Sequence, residues 1–214
     1  HWLTYDFVER KPSEATFVLR WDELEVPVRV EVPDVDGLYL AKIREELRNR
    51  NGFDAQAWDE AAEFCLERKI NLPEALKWAE FAVSAPFTGK PTFKSLSTLS
   101  AAQAANGMAD AAKATMQKAL EHPTATVTDI HMYGRQLQAQ KRTDEAVAVF
   151  LLNAKRYPDI WPVNVGLARA YSAQGKLKEA LAAAKKALAQ APDDGNRKSL
   201  TAIVEKLGAG KPID

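Results

Sequence analysis

The chain is poor in the residues that most often carry chemistry. Its 214 residues include one cysteine and three histidines. A lone thiol, Cys65, closes no internal disulfide, so cysteine usage is silent on the redox compartment. His1, His122 and His131 never meet the His-Glu-x-x-His spacing of a zinc helix. Neither sign of charge is in excess: 29 Lys and Arg balance 29 Asp and Glu. That removes the basic surplus on which nucleic-acid binding draws through counterion release. No apolar run approaches the roughly 20 residues that span a bilayer. Gly89-Lys90-Pro91-Thr92 has the wrong spacing for a P-loop and no strand before it, and no serine sits in a nucleophile elbow. These absences lead us to expect no enzyme, no cofactor and no metal. No signal peptide is visible. The chain opens at His1 instead of Met, which reads as a cleaved or truncated start with any export signal lost upstream.

What is present is ordinary for a globular chain. Hydrophobic residues make up 46% and charged residues 27%, enough apolar surface to bury a core. The first 33 residues alternate with period two. Leu3, Tyr5 and Phe7 fall on one side of a first run. Phe17, Leu19 and Trp21 fall on one face of a second, and Leu24, Val26, Val28, Val30 and Val32 form a third stripe. Period two predicts strands with one wet and one dry face. Lys11-Pro12-Ser13-Glu14 and Asp22-Glu23 supply the turns. The expectation is a three-stranded antiparallel meander with the Pro27 strand at an edge or bulged. Its apolar face needs a cover, from the following helices or from strands upstream.

After Pro33 the period changes. Asp36 is expected to cap a linker helix that runs to about Arg50 and stops at Asn51-Gly52. From residue 54 the sequence matches itself at a fixed offset. Asn164, Leu167, Ala168 and Tyr171 share a helix face, Gly175 turns the chain, Ala180, Ala184 and Ala187 follow, and Pro192 stops the second helix. Thirty-four residues earlier stand Ile130, Tyr133, Gly134 and Leu137, then Ala146, Phe150 and Asn153, then Pro158. One step further back come Leu96, Leu99, Ser100 and Gln103, then Gly107, Ala112, Met116 and Ala119. A looser copy holds Trp58, Ala61, Ala62 and Cys65, then Ala75, Ala79 and Ala82. Asn196 to Leu207 reads as a capping helix. A fixed period of this size means stacked helix pairs, each burying its face only against its neighbours.

This pattern of a small residue beside a hydrophobe, then an aromatic, then Ala-x3-Phe and a closing Pro resembles the tetratricopeptide repeat. Gln103 and Asn153 depart from it, where an aromatic and an alanine are usual. The expected architecture is mainly α: a tetratricopeptide-like solenoid of about four antiparallel helix pairs plus a capping helix, preceded by the small β segment. The expected domains are 1–33, 34–53 and 54–208. In the front segment, Trp2-Leu3-Thr4-Tyr5, Pro12-Ser13-Glu14-Ala15-Thr16 and Leu19-Arg20-Trp21-Asp22-Glu23-Leu24-Glu25-Val26-Pro27 resemble the end of an uncharacterised bacterial family, domain of unknown function 2911. That resemblance implies a larger β domain upstream and an exported, periplasmic or extracellular, location.

In tetratricopeptide arrays the first helices line a concave surface where peptides lie, so the resemblance implies a protein or peptide partner. The spacing shows which side chains point away from the packing stripe: Thr128, His131, Arg135 and Gln138 in one unit, Pro162, Val165, Arg169 and Ser172 in the next. Arg135 and Arg169 are one period apart and predict a short basic ladder for carboxylates, hence an acidic partner. With Lys94 from the preceding unit, the candidate partner-binding residues are Lys94, His131, Arg135, Gln138, Arg169 and Ser172. Ser97 and Ala101 stand where chaperone-tail binders carry Lys and Asn, so that ligand is not expected. Cys65 is read as a buried thiol, His131 as an ordinary surface residue, and Trp21, Trp58 and Trp78 as packing residues. Trp161, opening a unit, is expected to be partly exposed. Three readings stay open: a binding scaffold, a structural module packed on its own β domain or on a second copy, and an accessory part of an enzyme whose site lies upstream.

Overall fold

Four residues at equivalent places turn the chain into the second helix of a pair, and all four lie in the left-handed region: Lys69 (φ 57°), Gly107 (78°), Lys141 (60°) and Gly175 (73°). The helices around them keep the same period. In the computed structural model, which describes residues 2–213, the elements are β1 Thr4–Lys11, β2 Glu14–Trp21, β3 Leu24–Glu31, α1 Val35–Leu47, a 3-10 turn Arg50–Phe53, α2 Ala55–Arg68, α3 Leu72–Ser84, α4 Phe93–Ala105, α5 Ala109–Glu121, α6 Val127–Ala139, α7 Thr143–Arg156, α8 Trp161–Ala173, α9 Leu177–Ala189 and α10 Asp194–Gly208. Starts at 93, 127 and 161 are 34 residues apart, as are those at 109, 143 and 177. The described chain is thus mainly helical, ten helices in antiparallel pairs, preceded by a three-stranded antiparallel sheet.

Two compact units divide the chain. The first holds residues 1–91 and 101–112, the second residues 92–100 and 113–214. In the first, the sheet order is β1-β2-β3, so the Pro27 strand is an edge. The register places Tyr5, Leu19 and Val26 in one row and Phe7, Phe17 and Val28 in the next, with Trp21 opposite Leu24 and Ala15 opposite Val30. A bulge between Phe7 and Glu9 brings Arg10 onto this face, its guanidinium 5.1 Å from the Phe7 ring centre. The opposite face is charged: Arg20 joins Glu25 at 2.9 Å and Asp6 at 3.7 Å, and Glu14 pairs with Lys11 and Arg29. Among the described residues, Val18 is the one buried hydrophobe of the sheet. The helices leave the apolar face open: Tyr5, Phe7, Trp21, Leu24, Val26, Val28 and Val30 are all exposed. Trp21 is 59% exposed, which corrects its reading as a packing residue.

The helices of this unit behave conventionally. Asp34, not Asp36, caps α1, accepting from the Gly37 N–H at 2.8 Å; Asp36 instead pairs with Arg68 of α2 at 2.6 Å. Asp34 has the short acceptor side chain that suits an N-cap and reaches the N–H three residues on. Arg44 of α1 grips Glu74 of α3 with two bonds, 2.9 and 2.6 Å. Ala61, Ala62, Ala75, Ala79 and Ala82 fill the seam of α2 and α3. Cys65 is buried there as expected, and burial pushes its thiol up to about 11, the range of an inert thiol. Trp78 is buried, and Trp58 lies on Phe81 at 4.4 Å while donating to the Gly52 carbonyl.

In the second unit alanines again set the helix spacing. Ala146 and Ala180 are 1% and 0% exposed, and their counterpart Ala112 in the first unit is 6% exposed. Equivalent alanines thus occupy equivalent seams. Between Ala146 and the next pair stands Phe150, fully buried. A Cβ on Gly134 of α6 would come within 2.5 Å of its ring, and one on Gly166 of α8 within 2.8 Å. Two bare backbones therefore make one slot for one ring. Asn153, the departure from alanine, donates its amide to the Val127 carbonyl at 2.9 Å and ties α7 to the first turn of α6.

Candidate functional site

The face that carries the predicted residues is built by α6 and α8 of the second unit. A capping box fixes the start of α6: the Asp129 N–H donates to the Thr126 hydroxyl, and the Thr126 N–H donates to the Asp129 carboxylate at 2.9 Å. From there 3.6-residue periodicity sends Ile130, Gly134 and Leu137 into the core and His131, Arg135 and Gln138 to the other side. α8 starts on Trp161-Pro162, whose ring suits a first turn. Trp161 is half-buried, packed against the cluster of Val165, Ala187, Ala191 and Leu200.

His131, Arg135 and Arg169 come together. Arg135 is exposed and Arg169 half-buried. His131 is also half-buried, its ring 5.7 Å from that of Phe150 and its Nδ1 facing the Gly166 backbone with no hydrogen-bond partner. Burial first, then the charges of Arg135 and Arg169, hold the imidazole down to about 4, against a weaker opposing pull from the Pro162 backbone. It is neutral at pH 7 and packed between helices, not a loose surface residue as expected. The positive charge at this place is that of the two guanidiniums. Gln138 is half-buried with its Oε1 enclosed and unpartnered. Lys94 is exposed in the first turn of α4.

Ser172 behaves differently from the other five. It is 3% exposed, accepts from the Ile213 N–H at 2.8 Å and donates to the Ile213 carbonyl at 3.2 Å. Ile213 is itself buried, among Ala168, Ala180, Ala184 and Leu207. The segment after α10 has folded back on α8 and taken the hydroxyl that sequence spacing assigned to a partner. Nothing in the repeat signals this, because the residues after 208 lie beyond its last unit. Gly166 was also missed; its signal was a glycine in mid-helix, the position where only close approach justifies the lost propensity.

Among the described residues no cluster of three His, Cys, Asp or Glu side chains can hold a metal ion, and no helix is long and apolar enough to cross a membrane. The family model described as tetratricopeptide repeat matches residues 137–203. Those residues run from the last turn of α6 through most of α10, so the match spans α7, α8 and α9. Residues 137–203 thus match the tetratricopeptide repeat. The match starts well after residue 33 and leaves the second resemblance, to domain of unknown function 2911, where the sequence put it. Three solved structures are similar in helix arrangement. YrrB, described as a tetratricopeptide protein with an unusual peptide-binding site, is 19% identical, with 79% of this chain and 86% of that one covered and a TM-score of 0.48. MamA of MSR-1 is 15% identical (73% and 95% covered, TM-score 0.41), and MamA of AMB-1 is 16% identical (72% and 90%, TM-score 0.42). No curated protein matches the chain.

Proposed function

We propose that this tetratricopeptide array is a non-catalytic scaffold that binds an acidic peptide or protein segment along α6 and α8. The observation that carries the reading is the pair Arg135 and Arg169, one repeat apart, with a neutral imidazole packed beside them. Two guanidiniums at equivalent places on neighbouring helices offer forked donors to carboxylates. Partial burial of Arg169 weakens solvent screening of its charge. Gln138, one turn along α6, adds an amide to the same wall, and Lys94 adds a charge from α4, the first helix of the preceding pair. Ser172 is not part of the proposed surface, because Ile213 occupies it.

The test is fluorescence anisotropy of a labelled twelve-residue peptide alternating glutamate with leucine, titrated with the wild type and with Arg135→Ala/Arg169→Ala. Loss of two charge-assisted contacts predicts a drop of about tenfold or more in affinity, and a flatter salt dependence. Equal binding by the two proteins would remove the arginine pair from the site.

A further inference from the structure

The most anomalous surface of the molecule is the sheet. A period-two segment normally hides its apolar stripe and wets the other. Here the charged side is saturated with its own ion pairs, while the apolar side faces outward. Tyr5 and Phe7 meet Phe17 in tilted and edge contacts at 6.5 and 6.1 Å, so the rings are organised as a surface instead of being splayed. Monomeric proteins rarely leave a contiguous apolar patch larger than a few hundred Å², and a three-stranded sheet needs such a face covered for stability.

We infer that this face packs against the same face of a second copy of the chain, forming a six-stranded two-layer sandwich about 10 Å thick. Three features of the face favour a second copy. It carries no charge apart from Arg10 at one corner, so two copies meet without like charges opposed at the centre. The chain as a whole has a net charge of zero, so no long-range repulsion keeps copies apart. The exposed apolar side chains of the three strands together present on the order of 800 Å², the amount each partner contributes to a stable interface of standard size. The arginine pair on α6 and α8 plays no part in this surface, so the two proposals stand or fall separately.

Sedimentation velocity on the intact chain from about 1 to 100 µM decides the matter. The expected species is twice the 23.7 kDa chain mass, shifting to a monomer on dilution. Val28→Lys and, separately, Tyr5→Lys, both at side chains already exposed, should give a monomer at every concentration with helical circular dichroism unchanged. Thr4→Lys, on the charged side, should leave the dimer intact. A monomeric wild type overturns the inference, as does a dimer that survives both Val28→Lys and Tyr5→Lys.

Discussion

The sheet and the helix pairs solve the same burial problem in opposite ways. In the helices each apolar face has a neighbour, and small residues let it come close: Ala146, Ala180 and Ala184 are almost wholly buried. In the sheet, larger and more apolar side chains face outward, and the register is held by hydrogen bonds, aromatic contacts and surface ion pairs. Hydrophobicity alone therefore does not say what is core. A leucine-rich stripe becomes core only if the fold supplies a second surface.

The sharpest way to break this comparison is to delete one phenyl ring from each region. Phe150→Ala should cost about 4 kcal/mol in urea unfolding of the helical signal, because it empties a slot between two backbones. Phe17→Ala in the sheet should cost the monomer much less, about 1 to 2 kcal/mol, since that ring is only partly buried and its removal leaves no closed cavity. Equal losses would mean that the sheet face is covered in the monomer. Acidification probes the helices through His131. The folded state holds His131 at about 4 while an unfolded chain titrates it at 6.5. Between those values the unfolded chain binds more protons, so the His131 contribution to stability falls as pH drops from 6.5 to 4, by about 3 kcal/mol in total, and is spent below that. His131→Gln should remove that part of the slope. Ser172→Ala should cost about 1 kcal/mol and accelerate amide exchange at Ile213 with little change at α6. The smallest effect has the opposite sign. Lys141 holds a left-handed turn that glycine holds at 107 and 175, so Lys141→Gly should raise stability by up to about 1 kcal/mol.

The fold was legible because stacked repeats write the same packing solution several times. The offset of 34 that aligned Gly134 with Ala168 and Ala146 with Ala180 also fixed where the helices start and end. The sheet was legible for a similar reason, and its exposure was not: alternation reports two different faces and never which one is covered. Trp21 was misjudged on that account. The candidate surface was legible in part. Spacing placed Arg135 and Arg169 on one side of their helices, but whether His131 is wet depends on Phe150 and Gly166, which come from two other helices. Ser172 was hidden by a tail outside the repeat. Asp34 displaced Asp36 as a cap through a two-residue shift, the scale on which helix ends are set by local hydrogen bonds.

One ring shared by two hairpins limits how this array can be cut and rejoined. Phe150 rests on Gly134 of its own hairpin and on Gly166 of the following one. A graft of residues 127–156 into another array would carry the ring and leave half its socket behind. Duplication of that segment would succeed only where the incoming first helix also offers a bare backbone in place of Gly166, and the aligned residue in α6 is Met132. The two hairpins from 127 to 189 are therefore better regarded as a single inheritable cassette than as two interchangeable modules.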